Sequence, residues 1–547
     1  MSLRKRGLVT GAVLVTGALT LTACSSSGSS GGGSTAGGGA GGSFSMAIEK
    51  PQAMTPSNCY DLYCAQVNRA LFTGLFNFEK DSSGAMVPVN TELTKSVTTA
   101  DKGKTWTVEL NPGFTFTNGE AVTAKTFVDT FNYAANAKNG QQLGFILGPG
   151  QLNVEGYDKV ESGSAKEMTG LKAESDTKFT MTLVEPMTES LFKNFVAGPQ
   201  IMPMPSEAFK DPEAYEKQPI GNGAYKLTGP VTNQGMTVEK NPDYKGTPGN
   251  ADQIEFKIYA DTNAEWADLQ ANTLDVTNNL PQNALATAPQ VLGDRFINEP
   301  GSLQYSFFGF PANDPTFKDK NVRIGIAKSI NWDEINSKLY YGTRERATSY
   351  APGTIPGGGT DICGDSCTFD AAKAKELIDG AGGVPGNKVL IPQLANETGD
   401  VQKAICNQIQ TNTGVECGVE IFKDFGELLD NTQSGKAPQG TLVGSGWIAD
   451  NPTIQNMIAF FFTSDSPGNV SQYKSEEFDR LLQEGVAASD EADQIAKWQE
   501  AEKVLFEDFP AWPYQWRNQV GGYSTGVSNV TISPDGFVDL NKVTVNS

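Results

Sequence analysis

Sixty-three aspartates and glutamates, seven cysteines and no histidine set the chemistry this chain can carry before any fold is considered. Without imidazole there is no Ser-His-Asp or Cys-His nucleophile, no His-ligated zinc or nickel, and no haem held by a proximal His. Several short motifs imitate catalytic sites and fail on context. Gly28-Ser29-Ser30-Gly31-Gly32 has the spacing of a nucleophile elbow, but it lies in a Ser/Gly run and has no base to activate the Ser. Gly103-Lys104-Thr105 matches the end of a P-loop, yet Thr98 stands where the first Gly belongs, and a strand pattern follows instead of a helix. Ser190-Leu191-Phe192-Lys193 and Ser471 to Lys474 both fit S-x-x-K, without the companion K-T-G or S-D-N. Paired carboxylates for glycoside hydrolysis leave no local signature among so many acids. The balance of 42 − 63 = −21 charges argues against nucleic acid, whose phosphates need clustered Lys and Arg.

The cysteines carry a different chemistry. Arg4, Lys5 and Arg6 precede an apolar, small-residue stretch from Gly7 to Ala23, which reads as an export signal rather than a span of ~20 strongly apolar residues. It ends Leu21-Thr22-Ala23-Cys24, which resembles the bacterial lipobox, where the Cys becomes the acylated first residue. From Ser25 to Ser43 every residue is Ser, Gly, Thr or Ala, the composition of a flexible tether. An acyl-anchored protein has use for one, because its folded body must stand off the membrane. Without Cys24 there remain Cys59, Cys64, Cys363, Cys367, Cys406 and Cys417. Six cysteines permit about fifteen pairings, yet these fall as three local pairs. Export makes disulfides the default, and a metal site is disfavoured because no C-x-x-C occurs and no His can complete one. The pairing 59–64, 363–367 and 406–417 is favoured over the other connectivities.

Elements of both kinds must position these groups. Length sets a soft expectation of three or four lobes at roughly 150 residues each. A hydrophobic fraction of 38% and a charged fraction of 19% suit a globular body. Lys104 to Leu110 alternates apolar and polar with period two, as do Phe179, Met181 and Leu183, and Ile254, Phe256 and Ile258, which predicts half-buried strands. Asp370 is placed to cap a helix over Ala371 to Asp379 that stops at Gly380. Ile495, Trp498, Ala501, Val504 and Leu505 recur at helical spacing before Pro510. Strands and helices mixed without a strict βαβ rhythm predict mixed α/β lobes. There is no repeat of 20–50 residues and no linker beyond the tether, so the lobes are expected to be interwoven.

Longer segments are more specific. Trp106 to Ala124 reads as a strand, a turn at Asn111-Pro112-Gly113, a short strand, an Asn-Gly turn and a helix capped by Thr123. It also resembles the signature of bacterial solute-binding proteins of family 5, the peptide-binding cluster that feeds ABC importers. Thr117-Asn118-Gly119 keeps that signature's turn and lacks its usual His. Further matches follow in the family's order: Pro219-Ile220-Gly221-Asn222-Gly223-Ala224-Tyr225, Asn241-Pro242-Asp243-Tyr244, Asn321 to Ala327 with Ile330-Asn331, and Phe506 to Tyr514. The set, with the Cys363-Gly364-Asp365-Ser366-Cys367 loop, is most similar to actinobacterial oligopeptide-binding lipoproteins, and the resemblance covers the mature chain.

That resemblance implies a site. Ser445-Gly446-Trp447-Ile448-Ala449-Asp450-Asn451-Pro452 matches the stretch whose Trp and Asp line the family's cleft, the Asp pairing with the ligand's α-ammonium. The roles carry over to Trp447 and Asp450, with Asn451 beside them. A carboxylate, acceptor only, suits an ammonium with three donors. Asn451 replaces an expected aromatic, and Thr453-Ile454 replaces the usual Asp-Pro. Asn58, Cys59 and Tyr60 fall where relatives offer backbone to the peptide. Tyr305, Phe307 and Phe308, in a strand after Gly301, are candidates for cleft or core, and core is favoured. The implied fold is periplasmic-binding-protein-like: two α/β lobes with a hinge and a smaller inserted domain. The layout expected is a signal peptide over 1–23, lipidated Cys24 and tether over 24–43, lobe one from 44–75, 205–300 and 511–547, an inserted domain over 76–204, and lobe two over 301–510. The implied function is capture of oligopeptides, without chemistry, cofactor or metal, by a monomer held to the cell membrane through its lipid anchor alone. The implied partners are an ABC permease and its ATPase subunits. Two competitors remain: the same fold binding an oligosaccharide, whose cleft favours aromatic stacking over a carboxylate, and a secreted lipoprotein enzyme.

Overall fold

The structure, a computed structural model, describes residues 41–395 and 397–546. Cys24, the signal peptide and most of the tether lie outside the described residues. Two sheets dominate the body. The larger has seven strands in the spatial order Phe296–Glu299, Gln519–Tyr523, Val276–Thr277, Ser43–Ile48, Gln253–Ile258, Gly235–Lys240, Tyr225–Leu227. Its Ser43–Ile48 strand runs parallel to Gln253–Ile258, where Ile254 and Phe256 turn inward onto Phe44, Met46 and Val238. The second has four antiparallel strands, Arg344–Glu345, Ala511–Arg517, Gln304–Gly309 and Val443–Ile448. Tyr305, Phe307 and Phe308 are buried in it, which places them in the core rather than in a cleft.

Two segments pass directly from one sheet to the other. Only Asn518 separates the strand ending at Arg517 from the one starting at Gln519, and residues 300–303 separate Glu299 from Gln304. Side chains tie these crossovers together: Asn518 Nδ2 donates to Asn298 Oδ1 at 2.9 Å, Asn298 Nδ2 to the Gly342 carbonyl at 3.2 Å, and the Ser302 hydroxyl to the Arg517 carbonyl at 2.5 Å.

A third sheet, Thr94–Thr99, Thr105–Leu110, Lys178–Thr182 and Leu171–Ser175, is built on the expected alternation. Trp106, Val108 and Leu110 are buried, and Trp106 stacks on Phe192 at 4.6 Å. The helix after it, Ala124–Ala135, starts behind Thr123, with the Thr126 hydroxyl accepting from the Thr123 N–H at 3.2 Å. The expected short strand between the two turns is a single bridge, Thr115 with Ala121. The core of this sheet is continuous with that of the four-stranded sheet. The junction carries hydrogen bonds from Met86 N–H to the Thr354 carbonyl, 2.7 Å, and from the Thr188 hydroxyl to Gln494 Oε1, 3.0 Å.

Both expected helices form. Asp370 accepts from the Lys373 N–H at 2.9 Å and caps Ala371–Gly380, one residue longer than the sequence pattern implies. Glu491–Asp508 is capped by Asp490 and stops at Phe509, whose left-handed φ of 55° precedes Pro510. From this helix the fully buried Glu502 accepts the N–H groups of Tyr350 and Ala351 at 2.6 and 3.2 Å, and burial pushes its carboxyl up to about 7. Disulfides join Cys59 to Cys64, Cys363 to Cys367, and Cys406 to Cys417, the last linking helix Asp400–Thr413 to strand Glu416–Phe422.

Candidate functional site

Trp447 lies near the end of Val443–Ile448, an outer strand of the four-stranded sheet, directly across from Tyr305. Its indole is half-buried. One face stacks on Phe460 at 4.9 Å and 22°, and Phe461 meets it edge-on at 5.6 Å. Phe460 is itself 40% exposed, so the pair forms an aromatic platform that reaches solvent. Two residues past the strand the chain bends at Asp450, and helix Ile454–Phe462 begins, its first turn capped by the Thr453 hydroxyl accepting from the Asn456 N–H at 3.1 Å.

Asn456 ties the platform to the carboxylate. Its Oδ1 accepts the indole N–H of Trp447 and the backbone N–H of Asp450, each at 3.0 Å. Its Nδ2 donates to Asp450 Oδ2 at 3.4 Å. One amide thus fixes the separation and relative orientation of the two residues that sequence singled out. Asn456 was not among the expected residues: it sits beyond the matched segment, in a mostly apolar helix, and only the fold brings its amide back to the strand.

Asp450 stands exposed at the bend between the strand and the helix, with neighbouring protein packed against part of it. Desolvation raises its carboxyl above the usual aspartate range, against a smaller lowering by the Asn456 hydrogen bond. No lysine or arginine among the described residues pairs with it. A carboxylate that is desolvated, held by one amide and lacking a cation is suited to accept a positively charged donor.

The other expected residues are placed differently. Asn451 is buried, 4% exposed, and its Oδ1 accepts the Thr453 hydroxyl at 2.7 Å, so that oxygen supports the turn rather than facing solvent. Asn58 ends the short helix Pro56–Asn58, and the N–H groups of Asn58 and Cys59 donate to the Thr55 and Pro56 carbonyls at 3.0 and 2.9 Å. Cys59 is buried in its disulfide, and Tyr60 stands 56% exposed. Among the described residues no hydrogen bond joins this segment to the Trp447–Asp450 group. The described residues hold no cluster of acids and cysteines able to bind a metal ion, and no helix long and apolar enough to cross a membrane.

Comparison with known proteins agrees with this architecture. The chain is 25% identical over 551 residues to the periplasmic oligopeptide-binding protein OppA of Escherichia coli, covering 96% of each chain. It is 25% identical over 448 residues to the dipeptide-binding protein DppE of Bacillus subtilis, covering 80% of each. Among solved structures, the ABC transporter substrate-binding protein CtaP of Listeria monocytogenes superposes with a TM-score of 0.78 at 22% identity, over 93% of this chain and all of that one. The family described as bacterial extracellular solute-binding proteins, family 5 (middle region), matches residues 88–469, and the chain belongs to that family.

Proposed function

We propose that this protein captures oligopeptides in a cleft beside the four-stranded sheet and hands them to an ABC permease driven by its ATPase subunits. The ligand's α-ammonium pairs with Asp450, and its first residue lies against the Trp447–Phe460 platform. The observation that carries this reading is the Asp450 carboxylate, desolvated and without a cation, fixed to Trp447 by the Asn456 amide. Cysteine chemistry and the N-terminal sequence support an exported lipoprotein acylated at Cys24, with its body on the outer side of the membrane. Residues 44–75, 205–299 and 519–547 form one lobe, 304–517 the other, and 76–204 an inserted region; the boundary expected at 510/511 moves to Asn518 because strand Ala511–Arg517 pairs with Gln304–Gly309. Asn518 and residues 300–303 serve as the hinge over which the lobes close. Asn58, Cys59 and Tyr60 supply main chain or ring surface from the facing lobe. In this reading the protein carries out no covalent step, in keeping with a solute-binding family and a sequence without His to activate a nucleophile.

The test is native mass spectrometry of freshly purified protein. It is expected to release peptides on denaturation and to rebind a synthetic free-amino peptide. Release of saccharides, with no rebinding of any free-amino peptide at millimolar concentration, overturns the reading.

A further inference from the structure

Beside the two crossovers lies a turn that its own sequence disfavours. Tyr340 to Thr343 form a tight turn closed by the Thr343 N–H, which donates to the Tyr340 carbonyl at 3.0 Å. Both central residues are left-handed, Tyr341 at φ 52° and Gly342 at φ 77°. That is the arrangement of a mirror-image turn, whose first central position favours Asn, Asp or Gly. Gly342 suits it, and no atom lies within 4 Å of a Cβ placed there. Tyr341 does not suit it: a bulky side chain opposes a left-handed backbone, and its ring is 49% exposed rather than packed. The surroundings, not local preference, hold it there.

The hold is at Gly342. Its carbonyl accepts from Asn298 Nδ2 at 3.2 Å and from Asn518 Nδ2 at 3.5 Å, and the Thr343 carbonyl accepts from the Asn518 N–H at 3.2 Å. Asn298 lies in Phe296–Glu299, an edge strand of the seven-stranded sheet. The turn leads into Arg344–Glu345, an edge strand of the four-stranded sheet, and Asn518 stands between the two sheets on the chain. The turn therefore reaches out of one lobe to grip both a strand of the other lobe and a crossover. An ordinary turn, with Tyr341 right-handed, would orient its peptide groups differently and lose these acceptors.

This grip is incompletely satisfied. Asn518 is 9% exposed, and its Oδ1 is buried without a hydrogen-bond partner while its Nδ2 donates to Asn298 Oδ1 at 2.9 Å. A strained residue and an orphaned acceptor cost stability, and the two bonds made by the Asn298 amide offset them. An element balanced in this way is poised between two arrangements. In the one described, Trp447 and Phe460 reach solvent, so the bonds at Gly342 favour an accessible site. Rotating the lobes about Asn518 and residues 300–303 moves Asn298 relative to Gly342 and stretches those bonds.

We propose that the Tyr340–Thr343 turn is a clasp across the crossovers, held by Asn298 and Asn518, which biases the protein toward the arrangement with its site accessible and yields when the lobes close on a ligand. The inference rests on the two-lobe closure proposed above. Asn298 and Asn518 are positioning residues, acting on affinity through the balance of the two arrangements.

Small-angle scattering and calorimetry on the full protein test this with one free-amino tetrapeptide. Wild type is expected to shrink on saturation with the peptide. Ligand-free Asn298→Ala is expected to have a smaller radius of gyration than ligand-free wild type, nearer the saturated value. It should also bind roughly threefold or more tightly, because less of the population is held open. Tyr341→Asn eases the turn and keeps its bonds, so it is expected to do the reverse: to bind roughly threefold or more weakly and to melt higher. Weaker binding and a lower melting point in both variants overturn the proposal and give the turn a structural role alone. Compaction of wild type on binding, with radius and affinity unchanged in both variants, leaves the closure standing and the clasp refuted. Binding without compaction of wild type refutes the closure and the clasp with it. If the peptide does not bind, the peptide reading fails, and the ligand-free radii alone decide the clasp.

Discussion

Asp450 is an acid whose surroundings oppose its own charge, and this has a consequence for pH. Desolvation raises its carboxyl, so on acidification it takes up a proton above the pH at which an ordinary aspartate, near ~4, would do so. An ammonium binds the ionised form. Affinity for a free-amino peptide is therefore expected to hold near neutrality and to fall as pH drops, starting above the ordinary aspartate range. Asp450→Asn should be flat over the same interval. Asn456→Leu removes the hydrogen bond that lowers the carboxyl, and should shift the fall to higher pH. Superimposable profiles for wild type and Asp450→Asn by calorimetry would contradict this account. Trp447 and Asp450 could be singled out in the sequence because they lie three positions apart within one recognisable segment. Asn456 and Phe460 were not, since their roles depend on a helix folding back across the strand, which no local pattern states.

The turn Pro219 to Tyr225 makes a similar point one level up. Gly221 and Gly223 lie against the end of helix Leu62–Leu71, where a Cβ on Gly221 would meet the Leu71 carbonyl oxygen at 1.9 Å and one on Gly223 the Leu71 carbonyl carbon at 2.6 Å. Backbone cannot give way as a side chain can. Gly221→Ala is thus expected to destabilise by about 3 kcal/mol through overpacking. A denaturant midpoint unchanged from wild type would show that the contact relaxes without cost. The strands at Thr105–Leu110, Lys178–Thr182 and Gln253–Ile258 could be read directly because burial of one face imposes period two. The helix start at Asp370 could be read too, since one side chain satisfies nearby N–H groups, whereas the start at Asp490 was not singled out. Sheet order and register could not be read in this way. The meeting of Arg344 with Arg517, or of Trp447 with Tyr305, is decided by which distant segments pair, and that depends on the whole core.

At the scale of the molecule, two sheets share chain crossovers while one continuous core runs from the Trp106 sheet to the Trp512 strand. A body built this way can change the angle between its sheets by bending at few residues without opening a core, which suits capture and release better than catalysis. The interweaving was expected from the absence of an internal linker. The continuity of the core beyond residues 76–204 was not, because a run of strands and helices carries no mark of the surface it will pack on. The account stands or falls on the ammonium at Asp450. The most direct measurement is a calorimetric cycle combining Asp450→Asn with N-acetylation of one peptide. Asp450→Asn is expected to weaken the free peptide by about 1.5–3 kcal/mol, roughly 10- to 150-fold, while leaving the fold intact. The acetylated peptide should bind wild type poorly and lose little more on mutation. Losses that add, with coupling below about 0.5 kcal/mol, would mean that Asp450 does not meet the ammonium and that the site has been misassigned.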